Sequence, residues 1–301
     1  MREFFLNHQG ELAALFTACL WTVSAFAFEA GSKRIGSLAV NIYRLVIALV
    51  FLCVLNVITR GRILPADASG FNWLWLSLSG LIGFTVGDLF LFKSYTIIGS
   101  RFSMLIMTLV PPVTTLFSWL MIGERLKPIH FAGMSLTFIG IAIAIFNKKD
   151  GDEKYSLKLA PSGVLYALGG AVGQALGMVL SKIGITDYNP FAATQIRIIA
   201  GLAGFILLIT ALSRWGSVIR AAGNTGGMKA TTLGAFFGPF LGVSFSLISV
   251  RLTQAGIAAT IMAITPVLII PPAVFLYRQK VTFAEIAGSL ISVAGVAVFF
   301  M

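Results

Sequence analysis

Long apolar runs separated by short polar turns follow one another from the start of the chain to its end. A helix needs about 20 mostly apolar residues to cross roughly 30 Å of hydrocarbon. The runs predict ten such helices, near Glu11–Gly31, Leu38–Ile58, Asn72–Phe92, Phe102–Ile122, Ile129–Phe146, Ala160–Lys182, Phe191–Ser213, Thr231–Leu252, Ala255–Tyr277 and Thr282–Met301. Trp73 and Trp75 open the third run, where indoles sit well at a membrane interface. The longest polar stretch, Asn147–Leu159, is the natural joint between two halves. No segment reads as a soluble domain. The expected architecture is an all-α integral membrane protein with ten transmembrane helices.

The halves repeat. Met107–Phe146 reads MTLVPPVTTLFSWLMIGERLKPIHFAGMSLTFIGIAIAIF, and Met262–Met301 reads MAITPVLIIPPAVFLYRQKVTFAEIAGSLISVAGVAVFFM. At one constant offset Met107 falls on Met262, Pro111 on Pro266, Arg125 on Lys280, Gly133 on Gly288 and Gly140 on Gly295. A second alignment lays Gly10 on Gly163, Gly31 on Gly184 and Arg44 on Arg197. Residues 1–147 are therefore one five-helix repeat, 148–159 the joint and 160–301 the second repeat. Because five is odd, the second set starts on the opposite side of the membrane, so the repeats are inverted about a pseudo-two-fold axis in its plane. The repeat also bears on the first run, where Arg2, an apolar stretch and Ala25-Phe26-Ala27 imitate a cleavable signal. That run has an internal twin which cannot be a signal, so it is the first helix.

Composition agrees: 57% apolar and 11% charged residues, against roughly 45–50% and about 25% in soluble domains. The net charge of +11 lies on short loops between apolar runs, which fits lipid headgroups rather than nucleic acid. Cys19 and Cys53 both lie inside apolar runs and predict neither a disulfide framework nor a zinc site. His8 and His130 are isolated and read as polar loop-edge residues. No metal and no cofactor is expected.

Glycines mark where helices touch. Gly169, Gly173 and Gly177 are spaced by four, as are Gly234, Gly238 and Gly242, and Gly83 and Gly87 match two of the latter. Such stripes let helix backbones approach closely in lipid. Packing is the plain reading; a seam that slides during transport is the functional one. Pro111-Pro112 and Pro266 occupy matched mid-helix positions, with Pro271-Pro272 beyond. Mid-helix proline frees backbone carbonyls that neighbours or cavity water must satisfy. A matched pair predicts kinks at Pro111 and Pro266 that gate a midplane cavity, with ordinary kinks as the alternative.

Thr108-Leu109-Val110-Pro111 leading to Gly123-Glu124-Arg125-Leu126, then Gly133 and Gly140, resembles the EamA-like ten-helix branch of the drug/metabolite transporter superfamily. The weaker second copy and the Trp21 region add to the likeness, which spans nearly the whole chain as a pattern of runs. The second copy departs from the pattern with Tyr277-Arg278-Gln279-Lys280, which weakens any role assigned to Glu124 through symmetry. The resemblance implies a secondary carrier of amino acids, other metabolites or drugs, frequently an exporter, in the plasma or inner membrane. It names no single substrate.

Ionisable groups at membrane depth are costly and need a reason. Arg44 and Arg197, as repeat twins, are expected near opposite faces, either snorkelling to phosphates or guiding carboxylates and latching gates at opposite mouths. Glu29 stands four residues before Lys33, the spacing of a local ion pair. Asp88 lies deep in the third helix, four residues beyond Phe84, and its twin is Val243. An acid there either exchanges a coupling proton, since burial disfavours its charge, holds a substrate amine, or makes a structural hydrogen bond. Trp21 matches Gln174, and Asn41 matches Thr194. With Phe84, Asp88, Thr108 and Thr265 these are the candidate lining of a cavity for a small amphipathic solute.

No Walker-type loop points to ATP, and no nucleophile elbow, paired carboxylates or His/Glu metal motif points to an enzyme. The reading is a secondary transporter alternating access around a midplane site, with lipid, a small-molecule substrate and protons as partners, as a monomer or homodimer. A membrane receptor or scaffold and an integral membrane transferase are the rivals. Loops on the N-terminal side carry seven Lys and Arg and the other side thirteen, which by the positive-inside rule places the termini outside. The resemblance implies cytoplasmic termini instead.

Overall fold

A computed structural model describes residues 6–146, 160–268, 271–272 and 282–300. The described chain is helical throughout, and six of its helices are long and apolar enough to cross a membrane. We label the helices in chain order: α1 Gln9–Ile35, α2 Ser37–Arg60, α3 Gly70–Gly80, α4 Asp88–Met107, α5 Val110–Ile122, α6 Pro128–Phe146 and α7 Pro161–Gly184. Then come α8 Pro190–Ala211, α9 Trp215–Ala222, α10 Thr225–Ala235, α11 Val243–Leu252, α12 Ala255–Met262, α13 Thr265–Leu268 and α14 Phe283–Ala297. In lipid each helix satisfies its own backbone, so the runs of apolar sequence become helices before any packing is decided. Ends are set locally. A Ser69–Asn72 capping box opens α3, Asn189 and Asn224 side chains accept the first N–H groups of α8 and α10, and left-handed Gly61 and Gly123 close α2 and α5.

Two π-helical segments interrupt the long helices. Leu81–Gly87 joins α3 to α4, and Phe236–Gly242, which contains Pro239, joins α10 to α11. They occupy the same place in the two repeats. A π segment widens the helix and releases backbone groups, which is why such segments recur at functional sites.

The expected kinks at Pro111 and Pro266 are outright breaks. Helix stops at Met107 and restarts at Val110 after the turn Thr108-Leu109, with Pro111 in the first turn of α5. At the matching place Ala263-Ile264 separates α12 from α13, whose second residue is Pro266. Proline lacks an N–H, and a helix's first turn is where no acceptor is needed, so the break leaves no donor stranded. The helix Asp88–Met107 is not straight: Ser94 Oγ donates to Ser103 Oγ at 2.7 Å, whereas nine residues of straight helix would span about 13.5 Å at 1.5 Å each.

Glycines seat the helices. A Cβ on Gly177 would lie 2.9 Å from the Gly83 Cα, and one on Gly173 would lie 2.8 Å from the Gly87 Cα. The other half repeats this seam: Gly238 faces Ser24 and Phe28 of α1, and Gly242 faces Trp21. Gly133 of α6 meets the Gly295 carbonyl, while Gly140 meets Ser292 and the Gly288 carbonyl of α14. Rising numbers on one helix meet falling numbers on the other, and each glycine meets the partner's non-equivalent one. That is the antiparallel, reciprocal contact a two-fold axis between the copies requires.

Candidate functional site

A buried polar cluster forms beside the first π segment. Arg44 reaches from the third turn of α2 to the Asp88 carboxylate, with both side chains largely buried. Gln174 of α7 donates to the second Asp88 oxygen at 2.8 Å and lies 3.5 Å from the Gly83 carbonyl. Arg197 of α8 is 7% exposed, its guanidinium 5.0 Å from the Phe84 ring centre. Arg44 likewise stacks on Phe28, at 5.5 Å. These side chains come from four long helices because glycine at 80, 83 and 87 lets α7 and α8 press onto the π segment, where a Cβ on Gly80 would collide with the Arg197 backbone. Phe84 sits in one apolar cluster with Leu45, Ile198, Phe240 and Val243, so the charges are held in a dry surround.

The sequence leads one to expect Arg44 and Arg197 near opposite faces of the membrane. Each starts two turns inside its own helix, but both long side chains reach inward, Arg44 into contact with Asp88 and Arg197 within its electrostatic reach. The acid between them draws both; burial is tolerable only for charges that meet a counter-charge.

Of the other candidates, Phe84, Asp88 and Gln174 come together and the rest disperse. Trp21 packs on Gly242 in the α1 seam. Thr194 donates to the Pro190 carbonyl at 2.9 Å and lies 3.2 Å from Ser244, joining α8 to α11. Asn41 is buried with its Oδ1 unpartnered. Thr265 donates to the Met262 carbonyl at 2.8 Å, and Thr108 lies in the turn before α5. The side chains of Glu29 and Pro266, and Arg278 and Lys280, lie outside the described residues.

A second charged network, at the N-terminal side, was not anticipated. Glu124 pairs with Lys182, accepts from Ser118 and accepts the Ala255 N–H at 2.9 Å, capping α12. Thr253 donates to Glu11 at 2.6 Å, and Gln254 donates to the Arg125 carbonyl at 3.1 Å. Nearby Arg60 pairs with Asp67 and stacks on Tyr188, whose hydroxyl donates to Asp67 at 3.1 Å. Burial pushes the Asp67 carboxyl up, but its own backbone N–H, the Tyr188 hydroxyl, Arg60 and Arg62 outweigh that and hold it below the usual carboxylate range. Apart from Ser118–Glu124 and Arg60–Asp67, which lie within the first half, these ties join the first half to the second. The signal for them was the Gly-Glu-Arg-Leu motif, whose partners lie far away in sequence. At the opposite end the Tyr43 hydroxyl donates to the Val218 carbonyl at 3.0 Å, crossing between halves. A groove of about 610 Å³ beside α10, lined by Phe51, Lys229, Leu233 and Phe236, opens outward rather than toward the charged cluster.

Comparison with known proteins follows the same lines. A solved crystal structure superimposes with a TM-score of 0.75 at 20% identity, covering 97% of this chain and 96% of that one, which shows a shared fold alone. A search of curated proteins finds no matching sequence. The sequence pattern of the EamA-like transporter family matches residues 8–146 and again 161–301. With both copies of the repeat matched over nearly the full chain, this multi-pass membrane protein belongs to the EamA-like transporter family.

Proposed function

We propose that the protein is a secondary carrier that exports small amphipathic metabolites, amino acids or drugs among them, by alternating access between two inverted five-helix repeats. The observation that supports this most is the Arg44–Asp88–Gln174 cluster with Arg197 beside it, buried where the two halves meet. Ionisable groups so deep in a bundle are kept for solute or ion pathways. The cluster stands beside a π segment and is repeated in backbone, though not in side chains, by the other half. The N-terminal network ties the two halves together at that end. Helix breaks at Thr108-Leu109 and Ala263-Ile264 supply matched joints about which the half-helices tilt. In this reading Asp88 is the coupling group: a proton taken by its carboxylate would weaken its hold on Arg44.

Counterflow in liposomes containing only this protein tests the proposal. Solute accumulating against an unlabelled internal pool marks a carrier, since neither a receptor nor a transferase moves solute. Absence of counterflow over a broad metabolite panel, with folded protein in the vesicles, would sink it. Asp88→Asn refines the test. Exchange retained without uphill accumulation marks proton coupling, whereas transport equal to the parent at all pH values removes Asp88 from the mechanism.

A further inference from the structure

Arg197 is a buried cation without a bonded partner. It makes no hydrogen bond and no ion pair among the described residues, its Nε is sealed from solvent with nothing to donate to, and its guanidinium rests only on the Phe84 ring. Arg44, its twin, has the Asp88 carboxylate, and Gln174 takes the other oxygen of that acid. Asp88 therefore acts on Arg197 through space alone. Counting formal charges, the cluster holds two guanidinium groups and one carboxylate, an excess of one positive charge. A protein seldom keeps a desolvated charge unpaired, because the cost is several kcal/mol per ion.

We propose that Arg197 is the receptor for the carboxylate of the transported solute, and that the substrate class is small organic monocarboxylates with an apolar or aromatic body. This rests on the carrier reading above. A guanidinium presents a planar fork that matches a carboxylate in two parallel hydrogen bonds. Gly83 borders the fork without a side chain: a Cβ there would come within 3.6 Å of Nη2. Phe84 covers one face of the guanidinium and, with Phe240 and Val243 in the same cluster, offers apolar surface for the body of the solute. The same arithmetic excludes neighbours in chemical space. A dianion would overcharge the cluster. An amino acid brings an ammonium, and the one acid at hand is already engaged by Arg44 and Gln174. Neutral amides of equal shape cannot answer the charge at all.

Matched acid and amide pairs test this on purified full-length protein in nanodiscs: benzoate with benzamide, phenylacetate with phenylacetamide, 4-methylpentanoate with its amide. The acid of at least one pair is expected to raise the unfolding temperature and to bind tighter than its amide by on the order of tenfold, about 1.4 kcal/mol. Phenylalanine, which adds an ammonium to the phenylacetate pattern, is expected to bind more weakly than the simple acid. Arg197→Gln is expected to abolish the difference between acid and amide while leaving the ligand-free unfolding temperature unchanged or raised. Arg197→Lys, which keeps charge but loses the fork, retains only part of it. Equal stabilisation by acids and amides, no binding of any acid, or an intact preference in Arg197→Gln overturns the proposal. Should Arg197→Gln fail to fold, the acid and amide comparison in the parent protein still decides. Counterflow of the same acids separates the two readings. Binding of acids without counterflow sinks the carrier and spares the site; counterflow of other solutes with no preference for acids does the reverse.

Discussion

Arg44 and Arg197 occupy twin positions in the two repeats, both stack on a phenylalanine, and both look toward one point in the bundle. Only one has an acid bonded to it. The difference lies in a single pair of equivalent residues, Asp88 after the first π segment and Val243 after the second. Backbone is duplicated faithfully here, down to the π segments, the helix breaks and the glycine seams. Charge is not. Duplication thus provides two similar berths for a guanidinium, and loss of symmetry gives a bonded acid to Arg44 and none, among the described residues, to Arg197.

The largest effect is expected from copying the second half into the first. Asp88→Val strands two buried guanidinium groups, and removing one partner of a buried pair costs about 3–5 kcal/mol. Folded yield in detergent and the unfolding temperature should fall sharply; a variant as stable as the parent would deny that the acid matters to the cluster. Next, the two arginines should part company. Arg44→Gln breaks the direct pair and should lower stability by about 2–3 kcal/mol, as for a hydrogen bond to a charged group. Arg197→Gln removes a charge with no bonded partner and should be neutral or stabilising. The opposite order of unfolding temperatures would break the comparison.

The reverse exchange sharpens it. Val243→Asp places an acid at the position related by the repeat to Asp88, so it should meet Arg197 as Asp88 meets Arg44. Stability is expected to change by less than about 1 kcal/mol, since the gained pair offsets desolvation of the new charge, while any preference for acids over amides disappears. A loss of about 1–2 kcal/mol, below that at Arg44, is expected for Lys182→Gln, which removes the Glu124 ion pair and the bond to the Thr253 carbonyl. Unlike the changes at Arg197, it should leave the preference for acids intact.

The smallest effect is on pH. Asp67 has its carboxyl below the usual range in the folded protein. A depressed folded value stabilises above the unfolded value of about 3.9, and that contribution is lost as pH falls through the folded one. Unfolding monitored from pH 5 downward should lose a small increment that Asp67→Asn lacks from the start. Identical acid profiles of parent and variant would show that the site is too exposed to matter.

Much of this was readable from residues alone. The two glycine stripes, the matched prolines and the trio Phe84, Asp88 and Gln174 all stood out by spacing or by depth in an apolar run. Other features were not readable. The contacts of Trp21, Thr194 and Thr265, with Gly242, with Ser244 and with the Met262 carbonyl, were not legible in the sequence. Pro111 and Pro266 mark breaks rather than bends, because the two residues before Val110 and before Thr265 leave helical bonding altogether. Glu124 was visible as part of a motif, but its partners Lys182 and Ala255 were not, being brought to it only by the docking of one half on the other.

Membrane residence, helical class and the two-fold repeat were determined by sequence, because hydropathy and backbone self-satisfaction act within each run and need no partner. Which charges meet was decided by tertiary structure. Arg44, Asp88, Gln174 and Arg197 lie on four helices far apart along the chain, and a charge in lipid is governed by whatever counter-charge lies within a few ångströms. No local pattern records that Asp88 would be taken by one arginine and leave its twin waiting.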